Sequence, residues 1–258
     1  MKILVCGAAG WTGRAVLANL VEKHEVRAFE LDAAAWHAWE DIDGPPPDGV
    51  DLVYGDIVDF DTIGRYVSGM DAVIHLTVHF PSFDDPEQAA RDEKAFLVNH
   101  KGLWNILETA RRHAVQRVVH MGSCHVAHPR GVFFSSEVRR PDGHLYAICK
   151  RLQEEMCRQF FEAHQLSIVV LRPDYIVDSR LGIGRSREQL GPTCDQATAG
   201  WVCRHDLAEA CRLAIEHPSL DFEVLHAVGS ARAEQTCNVQ RTREVLGLTF
   251  QGDVDQYR

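Results

Sequence analysis

At 258 residues the chain is long for one minimal domain and short for two large lobes, so one α/β unit with a modest appendage is expected. With 45% hydrophobic and 25% charged residues it matches the globular average, which excludes disorder, collagen-like repeats and a disulfide-scaffold peptide. A formal charge of −10 sets it against nucleic acid and anionic lipid and leaves a small molecule as the expected partner.

In chain order, a first strand at 2–6 runs straight into Gly7-Ala-Ala-Gly10-Trp-Thr-Gly13. A helix follows from about 12 to 23, with Val16, Leu17, Leu20 and Val21 on the face that packs on a sheet. Each glycine has a physical reason between strand and helix: a tight turn, backbone N–H groups open to a diphosphate at the positive helix end, and close helix-to-strand packing. Trp11, Thr12 and Arg14 flank this loop, and Arg14 can meet a phosphate. The second strand, 25–29, leads to Glu30, placed to accept hydrogen bonds from an adenosine ribose diol and to repel a 2′-phosphate; Asp32 competes for that role. No basic residue stands just after Glu30, so NAD is expected over NADP.

A turn-rich loop, 43–49, precedes further β-branched runs at 51–54, 72–76, 117–121, 167–171 and 223–227, alternating with helical stretches. That alternation predicts an α/β fold, a doubly wound parallel Rossmann sheet with a small C-terminal substrate-binding appendage. The expected division is a cofactor-binding domain at 1–178 and a smaller substrate-binding region at 179–258 that returns one strand and one helix to the sheet. From 181 to 201 the pattern loosens around glycines, Arg180, Arg185 and Arg187, before a helix resumes at His205. A loose segment near the carboxyl ends of the strands can cover a ligand, with Trp201 as a possible wall.

Eight cysteines lie scattered at 6, 124, 149, 157, 194, 203, 211 and 237 without CxxC spacing, so the reducing cytosol is expected. His120, His125 and His128 lack a zinc-ligand spacing, and no metal is expected. No apolar run approaches the ~18 residues of a membrane span, so none is expected.

Tyr146 and Lys150, four apart on a stretch of strong helix formers, share one helix face. A nearby ammonium stabilises a phenolate, so the phenol is expected to work as acid or base nearer neutral pH. Ser123, just past the strand 117–121, stands at the sheet edge where ligands bind and can donate to a substrate oxygen. Together they suit hydride transfer between an alcohol or hemiacetal and a nicotinamide. His125 stands next to that site, whereas His75, within an apolar strand, reads as a satisfied core histidine.

These residues resemble the extended short-chain dehydrogenase/reductases of the NAD-dependent epimerase/dehydratase superfamily, over roughly 1–178. The resemblance rests on Gly7, Gly10, Gly13, Ser123, Tyr146 and Lys150, on the 71–76 strand signature and on Arg172-Pro173. It implies adenine contacts from Asp56 and Ile57, cofactor contacts from Leu76, Tyr146 and Lys150, and an Asn99 that supports the proton relay through the helix it opens. Within that family the nearest likeness is to the uronate dehydrogenases, through Ser123-Cys-His125 and Arg140-Pro-Asp-Gly143. That likeness implies oxidation of a sugar or sugar acid at its hemiacetal carbon to a lactone, with Thr77, Ser123, His125 and Arg187 toward substrate; Arg185 and Arg180 compete with Arg187. A sugar epimerase or reductase using bound NAD(P), or a non-catalytic NAD-binding regulator, stands as the alternative. The family also implies a homodimer through helices near 99–110 and 146–163, and with the cysteine pattern the protein is expected to be cytoplasmic. Leu103, Ile106, Leu107, Leu152, Met156 and Phe160 on those helices suit either an interface or the core.

Overall fold

The computed structural model describes residues 1–80, 88–126, 144–192 and 200–257, without the side chains at 88–90 and 125. Among these the chain runs β1 (Lys2–Cys6), α1 (Trp11–Leu20), β2 (Glu25–Glu30), α2 (Glu40–Asp43), β3 (Asp51–Tyr54), α3 (Phe60–Val67), β4 (Ala72–His75), α4 (Gln88–Phe96), α5 (Gly102–Arg112), β5 (Arg117–Met121) and α6 (Leu145–His164). It continues through β6 (Ile168–Arg172), β7 (Tyr175–Asp178), β8 (Ile183–Gly184), β9 (Trp201–Cys203), α7 (Arg204–Glu216), β10 (Phe222–His226) and α8 (Val239–Leu246). The main sheet has the order β3-β2-β1-β4-β5-β6-β10, and every neighbouring pair is parallel. Its order reverses between β1 and β4, so the loops leaving their carboxyl ends part and open a crevice.

Strand alternation divides the core into two layers. Ile3, Val5, Ile74 and Val119 face α1 and α7, where Leu17, Leu20, Leu207 and Cys211 cover them. Leu4, Cys6, Val73 and Val118 face the opposite layer, with Ile63, Leu103, Ile106 and Phe160 from α3, α5 and α6. Val16, Leu17 and Leu20 of the expected stripe are fully buried, and each contributes about 2 kcal/mol by burial. Leu103, Ile106 and Leu107 are likewise core residues, whereas Leu152 is 47% exposed.

The loosened stretch contains order that its pattern does not betray. β8, β7 and β9 form a second sheet, β7 antiparallel to β8 and parallel to β9. Strands of two to four residues are too short to carry a readable alternation. Trp201 is fully buried with Val177, Cys203 and Val254, so it is a core residue of this sheet and does not wall a pocket. No helix among the described residues is long and apolar enough to cross a membrane.

Candidate active site

Gly7 ends β1 in the left-handed region at φ +80°, where a Cβ would meet the backbone of Thr77 at 2.9 Å. A Cβ on Gly13 would stand 2.2 Å from the Gly7 carbonyl, so α1 can approach the loop this closely only with glycine there. Gly10 caps α1 without any side-chain hydrogen bond, leaving the first-turn N–H groups to a ligand. Glu30, at the end of β2, accepts from the Ala9 N–H at 2.7 Å, and burial pushes its carboxyl pKa up. Its rival Asp32 accepts from Ala35 N and caps the tight helical turn Ala33–Trp39.

Arg14 is buried beneath that turn, not aimed at a phosphate: it donates to the carbonyls of Trp36 and Gly44 and stacks on the Trp36 ring at 4.9 Å. Trp11 is gripped by Arg204, whose guanidinium lies 3.9 Å over its ring and pairs with Asp43 at 2.6 Å and Asp178 at 2.7 Å. Against burial, hydrogen bonds from His205 and Arg204 hold the Asp178 carboxyl well below the usual range. Sequence spacing gives no sign of this clamp, because its three members come from distant elements.

The loop and the catalytic candidates open onto one cleft of about 710 Å³. Gly7, Gly10, Trp11, Thr12, Gly13 and Glu30 line one end, Leu76 and Thr77 the middle, and Ser123, Tyr146 and Lys150 the other. Tyr146 is hydrogen-bonded to Ser123. Lys150 is buried and donates to the Met121 carbonyl at 2.7 Å, with its Nζ 5.8 Å from the centre of the Tyr146 ring.

The electrostatics depart from expectation. Burial pushes the Tyr146 phenol up to about 12, against the pull of Ser123 and of Arg185. Burial also brings Lys150 down to about 8. The Lys150 ammonium is turned to the Met121 carbonyl, and Arg185 is a cation that pulls the phenol down.

Other expected residues lie outside the cleft lining. Arg187 has a positive φ of 65° and turns away, pairing with Asp41 at 2.5 Å and stacking on Trp39 at 4.8 Å. Among the described residues the arginine in the cleft lining is Arg185, whose guanidinium covers Phe80 at 4.3 Å, while Phe80 itself stacks on Tyr146 at 4.6 Å. Phe80 is a site residue that sequence reasoning missed, since nothing in the spacing links it to Tyr146. Asp56 is exposed and accepts from Val58 N, and Ile57 is packed in the core.

Asn99 sits in a π-helical turn, Leu97–Lys101, and its side chain ties down the backbone of His79 at 2.8 and 3.0 Å. Its carbonyl accepts from Gln153 Nε2 at 2.7 Å. The backbone of His125 belongs to the turn Cys124–Val126; its side chain, His128 and 140–143 lie outside the described residues.

The chain is similar to known proteins along its length. The sequence profile of the NAD dependent epimerase/dehydratase family matches residues 3–177. A uronate dehydrogenase of Pseudomonas syringae pv. tomato is 26% identical over 88% of this chain and 74% of that protein. An L-arabinose 1-dehydrogenase (NAD(P)(+)) of Haloferax volcanii is 22% identical over 95% of this chain and 94% of its own. In fold, the UDP-glucose 4-epimerase of Bifidobacterium longum, solved with NAD+ and UDP, superposes with a TM-score of 0.75 at 17% identity, covering 100% of this chain and 96% of that one. A strand-to-helix glycine loop, an acid closing β2 and a Ser–Tyr–Lys cleft fit that description, and the chain belongs to the NAD-dependent epimerase/dehydratase family, an NAD-dependent enzyme of the extended short-chain dehydrogenase/reductase type.

Proposed function

We propose that this enzyme oxidises a sugar or sugar acid at its hemiacetal carbon, giving a lactone. The observation that carries the reading is the Ser123–Tyr146 hydrogen bond at one end of the cleft whose other end is the glycine loop. Its relatives' names support the substrate class, uronate in one case and arabinose in another.

In this reading the first-turn N–H groups of α1 hold the cofactor's diphosphate, and Glu30 takes the ribose diol while its other oxygen braces Ala9. NAD, held by these residues, would supply the hydride acceptor. Tyr146 removes the proton from the reacting hydroxyl, Ser123 orients that oxygen, and Lys150 keeps positive charge behind both. Positive charge near the phenol is what offsets the burial that raises it. Arg185, an arginine that lines the cleft, is the residue we assign to a substrate carboxylate. Asn99 acts as a positioning residue, holding the strand exit at His79 against α6.

We further read 179–258 as the region that supplies the substrate wall. A homodimer through the helices near 99–110 and 146–163 is supported by Trp104 and Leu152, 45% and 47% exposed on α5 and α6. The buried, scattered thiols support a cytoplasmic setting.

Tyr146→Phe tests the central role. It is expected to bind NAD as the wild type does and to lose NADH formation by about a hundredfold or more, the range of acid–base catalysis. Unchanged turnover would remove the phenol from the chemistry.

A further inference from the structure

Four side chains from distant elements stack in one column beside the glycine-loop end of the cleft. Arg204 lies 3.9 Å over Trp11, the Trp11 and Trp39 rings are 4.6 Å apart, and Arg187 covers Trp39 at 4.8 Å. Trp11 lines the cleft, and so does Ala38, the neighbour of Trp39. An indole offers a negative face to a cation, so a guanidinium at each end suits this order.

The two ends differ in what holds them. Arg204 is buried and pairs with Asp43 and with the equally buried Asp178; parting them would strand charge away from water, so that end stays made. At the other end the side chains of Arg187 and Asp41 are 46% and 59% exposed, so water and salt compete for their pair. The Arg187 fork donates to Asp41 at 2.5 and 3.0 Å and to the Ala38 carbonyl at 2.7 Å. It does so from a φ of +65°, a conformation that a non-glycine residue keeps only where its contacts hold it. The column is therefore fixed at Arg204 and releasable at Arg187.

Arg187 belongs to the tight turn 184–188, closed by hydrogen bonds from Gly184 N to the Glu188 carbonyl and from Arg187 N to the Gly184 carbonyl. Two residues before it, Arg185 covers Phe80 in the cleft. One short turn thus touches the wall at Ala38, which lines the cleft with Glu30, and the Phe80–Tyr146 end. We propose that this turn is a clasp across the mouth of the cleft, fastened by Arg187 on Asp41, Ala38 and Trp39, and that it gates the passage of NAD and NADH. Its contacts are all between protein groups, so it fastens with the cofactor in or out and slows entry and exit alike. Opening it also lifts Arg185 from Phe80, so the cofactor exchanges only while the substrate wall is undone. The proposal rests on the placement of NAD given above, with its adenosine toward Glu30, and on no property of the sugar.

Stopped-flow fluorescence of NADH binding tests the gate without any substrate. Arg187→Met keeps the stem and removes the fork, and Asp41→Ala removes the opposite charge. Each is expected to speed both association and dissociation by about fivefold or more, with Kd within about threefold. The double variant is expected to match the single ones, because all three unfasten the same contact. Unchanged rates, or a double variant in which the two effects add, overturns the gate. Faster dissociation at an unchanged association rate also overturns it, and makes Arg187 a contact of the bound cofactor instead.

Glu30→Ala reports on the placement separately and is expected to weaken NADH by about tenfold or more. Unchanged affinity overturns the placement and, with it, the clasp. Weakened NADH in Glu30→Ala beside wild-type rates in Arg187→Met overturns the clasp alone and leaves the placement standing.

Discussion

Four residues beyond Tyr146, helix α6 carries an ammonium into a place that bulk water does not reach. The spacing makes it legible that the two groups share a face, because i and i+4 align on any helix. The direction of the phenol's shift was not legible: it depends on burial, and burial comes from Phe80, Arg185 and the sheet edge, which no local pattern brings to Tyr146. The same burial has a consequence for stability. Lys150 falls to about 8 in the folded enzyme from 10.5 when unfolded. Between these values the unfolded chain binds the extra proton, so stability rises with pH across that window, by about 3 kcal/mol in all. Lys150→Met removes the titration. Denaturant unfolding at about pH 7.5 and pH 9.5 is expected to show that rise in the wild type and its loss in the variant. An identical pH dependence in both proteins would mean that Lys150 is solvated.

At the scale of elements, the seven strands of the main sheet were readable as short runs of β-formers, most plainly β1, β4, β5 and β6, which are buried almost throughout. Their observed ends differ from the sequence reading by a residue or so, as at β6 and β10. β7, β8 and β9 were not readable, and with them went the choice among the three arginines: the turn after β8 directs Arg185 to the cleft and Arg187 to Asp41. The helix pair was ambiguous for a different reason, since Leu, Ile and Phe at helical spacing serve a core or an interface equally well. The fold separates them, burying Leu103, Ile106 and Leu107 and leaving Trp104 and Leu152 outside. Trp104→Glu, 45% exposed on α5, is therefore expected to leave the melting temperature within a few degrees and convert a dimer to a monomer in sedimentation velocity. A wild type that sediments as a monomer, or a variant that still dimerises, would move the interface elsewhere.

For the whole molecule, the sheet order does most to make a site. Reversal between β1 and β4 opens the carboxyl edge, and the glycine loop, the Thr77 segment, Ser123 and α6 all converge there although 143 positions separate Gly7 from Lys150. The family to which the chain belongs uses NAD, and proteins similar to it include both a uronate dehydrogenase and a UDP-glucose 4-epimerase solved with NAD+. What separates these outcomes is whether reducing equivalents leave with the cofactor. The most direct measurement supplies NAD with uronates and aldoses and counts NADH against sugar consumed and lactone formed. One NADH and one lactone for each sugar are expected; a sugar isomer formed without net NADH would contradict the oxidation.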